Sequence, residues 1–266
     1  MYVDDLLITG SSSELINKTK NDLKLKFKMK DLGDLKFFLG IEFARSSDGI
    51  VISQCKYALE LIFEMGLSAA KPVQAPLDAN LRLSSVGYDE FVSESNNTTA
   101  DKPLQNVGKY QRLVGRLLYL IMTRVDITFI VQTFSQYMHA PKESHMEAAL
   151  RVVRYIRSAP GLGLLMPSQI ADFLTAYCDS DWGICLETMR SVTGYLVKFE
   201  NALVSWKSKK QETVTRSSAE AEFRSMASAV ARITWLIILY KEFGVEVKLC
   251  VDLYMIVKLQ CKLQQT

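Results

Sequence analysis

The 266-residue chain has only two histidines, His139 and His145, so a zinc site or a histidine-based nucleophilic triad has little material. Its five cysteines (Cys55, Cys178, Cys185, Cys250, Cys261) show no C-x-x-C spacing. That excludes a disulfide scaffold and suits reduced thiols inside a cell, with cytoplasm or nucleus as the expected compartment. No signal peptide is visible, and no uninterrupted apolar run reads as a bilayer span, so no membrane partner is expected. The Asn97-Thr98-Thr99 sequon is then a chance match. Strong charge of one sign is missing too: 32 basic against 29 acidic residues leave +3, too little to announce a nucleic-acid binder by itself. With 48% hydrophobic residues, the chain can bury two cores.

Acidic residues stand where apolar segments end. The run Leu174–Tyr177 stops at Asp179-Ser180-Asp181-Trp182, as a strand does when it delivers carboxylates to a sheet edge. Ser217 and Glu220 have capping-box spacing at the start of a helix, and Glu220 stands four residues before Arg224. Glu222 differs. At helical period it shares a stripe with Met226, Ala229, Val230, Ile233 and Ile237. A carboxylate on an apolar stripe needs compensation, by a metal or a hydrogen-bond network. Asp252 ends the next apolar segment. Two readings stand: three carboxylates arranged for hard cations such as Mg²⁺ in phosphodiester hydrolysis, or turn aspartates beside a snorkelling glutamate.

Along the chain, helical patterns cover 11–27, the Tyr57–Met65 face, 107–122, 127–138 and 142–158. A hairpin reads over Phe37–Ala44 and Ile50–Gln54 with Gly49 at its tip. The polar stretch 84–106 reads as a linker. Strands at 174–179, 191–199 and 203–208, a helix over 218–243 and a strand at 246–252 complete an α/β (α+β) chain. Cations recur in Lys18–Lys30 (Lys24, Lys26, Lys28 and Lys30 among them), along one helix side at Arg151, Arg154 and Arg157, and at Lys207, Lys209 and Lys210. Each is either a solvated face or a backbone-phosphate contact.

Ala176–Gly183, Arg190–Tyr195, Val204–Gln211 and Arg216–Phe223 resemble the ribonuclease H domain of copia-type retrotransposon Pol polyproteins. Tyr2-Val3-Asp4-Asp5 with Leu6–Gly10 resembles the Y-x-D-D hairpin of reverse transcriptases, and Phe27–Glu42 is similar to the segment that succeeds that hairpin in the copia type. Val114–Leu120, Thr123–Ile127 and Ser135–Met138 resemble the segment joining polymerase to ribonuclease H, with Val125 and Met146 where the family has Pro and Trp. The resemblance implies four parts: a reverse-transcriptase palm/thumb remnant (1–83), the linker (84–106), a helical connection (107–168) and an incomplete ribonuclease H-like mixed sheet (169–266). It implies Mg²⁺, or Mn²⁺, held by Asp179, Glu222 and Asp252, with Asp4 and Asp5 as the polymerase remnant. The partner would be an RNA–DNA hybrid or another nucleic acid; the oligomeric state is left open. Because other parts of both family sites are missing from this sequence, the expectation is a decayed fragment without polymerase activity and with at most weak hybrid cleavage. The alternatives are a non-catalytic nucleic-acid-binding remnant or a host-recruited interaction module.

Overall fold

The computed structural model describes residues 5–78, 81–96, 101–168, 173–247 and 252–255. Asp4, Cys250, Cys261 and the 97–99 sequon lie outside them. The architecture is α+β, with two four-stranded sheets among the described residues.

Helix α1 (Ser13–Lys26) is capped by Ser12, whose hydroxyl accepts from the Leu15 N–H, and it buries no residue. The expected strand Phe37–Ala44 is broken. Leu39 and Gly40 both take positive φ (48° and 77°), so β1 (Phe37–Phe38) folds back on β2 (Ile41–Ser46). The β2–β3 hairpin, with β3 at Gly49–Ser53, forms as the Gly49 signal predicts. Gly49 has φ 144°, and a Cβ there would collide with the Met166 carbonyl oxygen. That close neighbour belongs to β4 (Leu164–Pro167), which closes the first sheet against β3.

Helices α2 (Cys55–Glu64), α4 (Val107–Leu120), α5 (Thr128–Ser135) and α6 (Glu143–Ile156) share one core. Ala58 and Leu61 from α2 are buried with Leu113, Leu117, Val131, Val152 and Val153. The segment before residue 84 and the helices after 106 are therefore packed together. Residues 84–106 differ from a bare linker: they contain α3 (Val86–Asn96) and are latched to the start of α6. There Lys142, 2% exposed, is ion-paired with Asp89 and, at 3.5 Å, with Asp101. His145 is fully buried; its Nδ1 accepts from the Lys142 N–H at 3.1 Å and its Nε2 donates to the Ser84 carbonyl at 3.0 Å. Tyr137 stacks on the imidazole with ring centroids 4.2 Å apart. The Thr-Arg-Val-Asp motif is structural as well. Arg124 forks onto both carboxylate oxygens of Asp126 (2.9 and 2.6 Å) and donates to the Ala159 carbonyl.

The second sheet has the order β7-β6-β5-β8, with β5 at Leu174–Asp181, β6 at Val192–Phe199, β7 at Ala202–Lys210 and β8 at Asp252–Met255. Cys178 lies opposite Tyr195 and Ala176 opposite Val197, so these four side chains share one face. Against it lies α7 (Ser218–Glu242) with Ala229, Ile233 and Leu236. Helix α7 corrects one expectation, since by length and composition it could cross a membrane. Its inward stripe instead forms the core beside the sheet. The described part of β8 runs Asp252–Met255, and most of the expected strand 246–252 lies outside the described residues.

Candidate functional site

The start of α7 is fixed against the end of β5 by polar contacts. Ser217 Oγ accepts from the Glu220 N–H at 3.2 Å, while Glu220 reaches back to the Arg216 N–H at 2.8 Å and pairs with Arg224 at 2.7 Å. These contacts, the Arg216 N–H foremost, hold the Glu220 carboxyl below its ordinary pKa. Glu220 is a capping residue, as its spacing predicts. Deeper in, Gln211 donates to the Ala221 carbonyl at 3.1 Å and to Thr193 Oγ1 at 3.0 Å. Fully buried Ser225 has the Asp179 and Gly194 carbonyls at 2.6 and 3.0 Å, and its one proton serves one of them at a time. Ser225 thus ties α7 to the backbone at Asp179. Sequence reading missed it, though a serine between Ala221 and Ala229 on the inward stripe is a visible signal.

Glu222 lies on that stripe too, half-buried. Burial raises its carboxyl pKa, the Asp179 charge raises it further and Asp181 adds to this; the Ser180 N–H, donating to the carboxylate, works in the opposite direction. Its Oε2 is buried with no hydrogen-bond partner among the described residues. The same acidic pair, after burial, raises the Cys178 thiol. A carboxylate raised by a neighbouring acid and holding one unpartnered oxygen suits a hard cation, which neutralises the repulsion and takes oxygen ligands.

Of the third predicted residue, Asp252, the strand position is described. Asp252 pairs with Thr175 on the parallel neighbour of β5, four residues from the level of Asp179. At about 3.3 Å per residue that is ~13 Å along the strand. Among the described residues no group of three or more His, Cys, Asp or Glu is placed to share a metal. The Asp179 charge acts on Glu222, while the backbone of Asp252 pairs at Thr175. Asp5 is exposed, and Asp4 is outside the described residues.

Comparison with known proteins gives the context. Residues 1–79 match the family model described as reverse transcriptase (RNA-dependent DNA polymerase). The retrovirus-related Pol polyprotein from transposon RE1 of Arabidopsis thaliana is 36% identical over 92% of the chain. That from transposon TNT 1-94 of Nicotiana tabacum is 34% identical over 93%. An uncharacterized mitochondrial protein of Arabidopsis thaliana is 37% identical over 88% of the chain and 92% of its own length. The chain belongs to the copia-type retrotransposon Pol family. It spans 16% of the RE1 polyprotein and 18% of the TNT 1-94 polyprotein. No solved structure matches it.

The basic residues of this Pol-family chain divide by role. Lys20 and Lys24 pair with Asp31 at 3.5 and 3.3 Å, while Lys26, Lys28 and Lys30 are exposed. At 100° per residue Lys18 and Lys26 turn away from Lys20 and Lys24, so the lysines of α1 form no single cationic face. Arg157 corrects the expected arginine row: it donates to the carbonyls of Ser68 (2.9 Å) and Ala70 (2.5 Å). Arg151 and Arg154 are half-buried. Lys207 and Lys209 are exposed on edge strand β7, with Glu212 3.7 Å from Lys209. Lys210 instead points its Nζ at Cys185 Sγ, 3.5 Å away.

Proposed function

We propose that the second sheet of this Pol-family chain is a ribonuclease H-like site that holds the RNA strand of an RNA–DNA hybrid against Asp179 and Glu222. The observation that carries this reading is the Glu222 carboxylate, one oxygen buried and unpartnered, within reach of the Asp179 charge that raises its pKa. Those two residues would hold Mg²⁺ or Mn²⁺, whose chemistry there is activation of water and stabilisation of the leaving oxygen. The Ser180 N–H orients the Glu222 carboxylate, and Ser225 fixes the helix that carries it. Exposed Lys207 and Lys209 supply cations for backbone phosphates. The test is Mg²⁺-dependent cleavage of a labelled RNA strand within a hybrid.

The offset of Asp252 favours a second reading, a nucleic-acid-binding member of the family without cleavage. On that reading, salt-sensitive binding survives where cleavage is absent.

A further inference from the structure

Helix α7 has two apolar sides. One packs on the second sheet through Ala229, Ile233 and Leu236. The opposite side carries Phe223, Ala227, Val230, Thr234, Ile238 and Lys241, all exposed. At 100° per residue these six fall within about 80° of one another, so they form a continuous strip along the helix. Phe223 is 64% exposed, Val230 46% and Ile238 57%. Thr234 adds no polar demand to the strip, because its hydroxyl donates to the Val230 carbonyl at 3.0 Å. An exposed apolar strip of this length marks an interaction surface.

The strip is complementary to itself when reversed. Large Phe223 and Ile238 lie toward its ends, small Ala227 and Thr234 lie inside them, and Val230 stands at the middle. Laid antiparallel about Val230, it sets Phe223 against Ile238 of the other copy and Ala227 against Thr234. The small pairs let the two helix axes approach. The ends of α7 carry opposite charge, with Glu220 in the first turn and Lys241 in the last. The same reversal brings Glu220 of each copy level with Lys241 of the other and opposes the two helix dipoles. A two-fold interface requires a patch that matches itself in this way. We infer that α7 pairs antiparallel with α7 of a second copy of this chain. A phosphate backbone would find no row of cations on the strip, and a bilayer would leave the match of Glu220 with Lys241 unused. One helix pair is a small interface, so the association is micromolar rather than permanent.

The test is the mass of the full chain by sedimentation equilibrium, from low to high micromolar concentration in low salt. The mass climbs toward twice the 30.1 kDa of one chain. Val230→Glu and Ile238→Glu each put a charge in the seam and hold the mass at one chain. Their urea midpoints stay at the wild-type value, because both positions are exposed. Phe63→Glu, at an exposed apolar residue of α2, leaves the dimer intact. Lys241→Glu sets like charges opposite Glu220 and weakens association roughly fivefold, while Lys241→Arg does not. A single-chain mass at every concentration overturns the inference. So does a dimer that survives both Val230→Glu and Ile238→Glu, or one that Lys241→Glu leaves as tight as the wild type. A single-chain mass together with binding to phosphatidylcholine vesicles that Val230→Glu abolishes would make a membrane the occupant instead.

Discussion

His145 donates its Nε2 proton to the carbonyl of Ser84, 3.0 Å away and far along the chain, while its Nδ1 accepts from the Lys142 N–H. Only the neutral ring can do both. Burial, and then the Lys142 charge, depress its pKa to about 4. The unfolded chain, with a histidine near 6.5, therefore binds the proton more readily than the folded one. Stability from this group is complete above pH 6.5 and is lost as the pH falls toward 4, by about 3 kcal/mol in total. Urea denaturation across that window should show the slope, and His145→Gln should flatten it while lowering stability at pH 7.

Asp126 and Arg124 make a different prediction. Burial raises the Asp126 carboxyl, but the Arg124 hydrogen bonds and charge outweigh it and hold the pKa below its usual value. With Arg124 only 2% exposed, Asp126→Ala leaves a guanidinium buried without its carboxylate. The loss should be roughly 3 kcal/mol, read as a lower urea midpoint with an unchanged slope.

Glu222→Gln should stabilise the fold while removing cation affinity. A carboxylate whose folded pKa is raised disfavours the folded state once ionised, so its cost applies above the folded pKa and vanishes in acid. The amide carries no such cost. Thermal melting at pH 7 should show a higher Tm for Glu222→Gln, and Mn²⁺ should raise the Tm of the wild type but not of the variant. A lower Tm without metal would mean that Glu222 is satisfied inside the protein.

Ser225→Ala removes the hydroxyl that ties α7 to the Asp179 and Gly194 carbonyls. Leaving a buried carbonyl unsatisfied costs about 1–2 kcal/mol. Hydrogen exchange at the first turns of α7 should quicken, and the Mn²⁺-induced shift in Tm should shrink because Glu222 is less firmly placed.

Periodicity made much of this legible. The helical stripe separated inward Glu222 from capping Glu220, and the structure places them so. The order of strands and helices from Leu174 to Glu242 also came from short apolar runs and one long amphipathic pattern. Less legible was whatever depends on distant partners. Polar composition marked 84–106 as a linker because Lys142 and His145, which latch Asp89 and Ser84, stand far from them in sequence. Arg157 looked like a phosphate ligand because nothing local announces that its donors meet the Ser68 and Ala70 carbonyls. The register of β8 was equally hidden, since an apolar run fixes a strand's existence but not which residue stands beside Asp179.

The most direct test is cleavage of an RNA–DNA hybrid, labelled on the RNA strand, by the full chain with Mg²⁺ or Mn²⁺. Weak metal-dependent cleavage is expected, abolished in Asp179→Asn and in Glu222→Gln and retained in Glu220→Gln. Cleavage that survives Asp179→Asn, or that is lost in Glu220→Gln while Glu222→Gln stays active, would contradict the assignment.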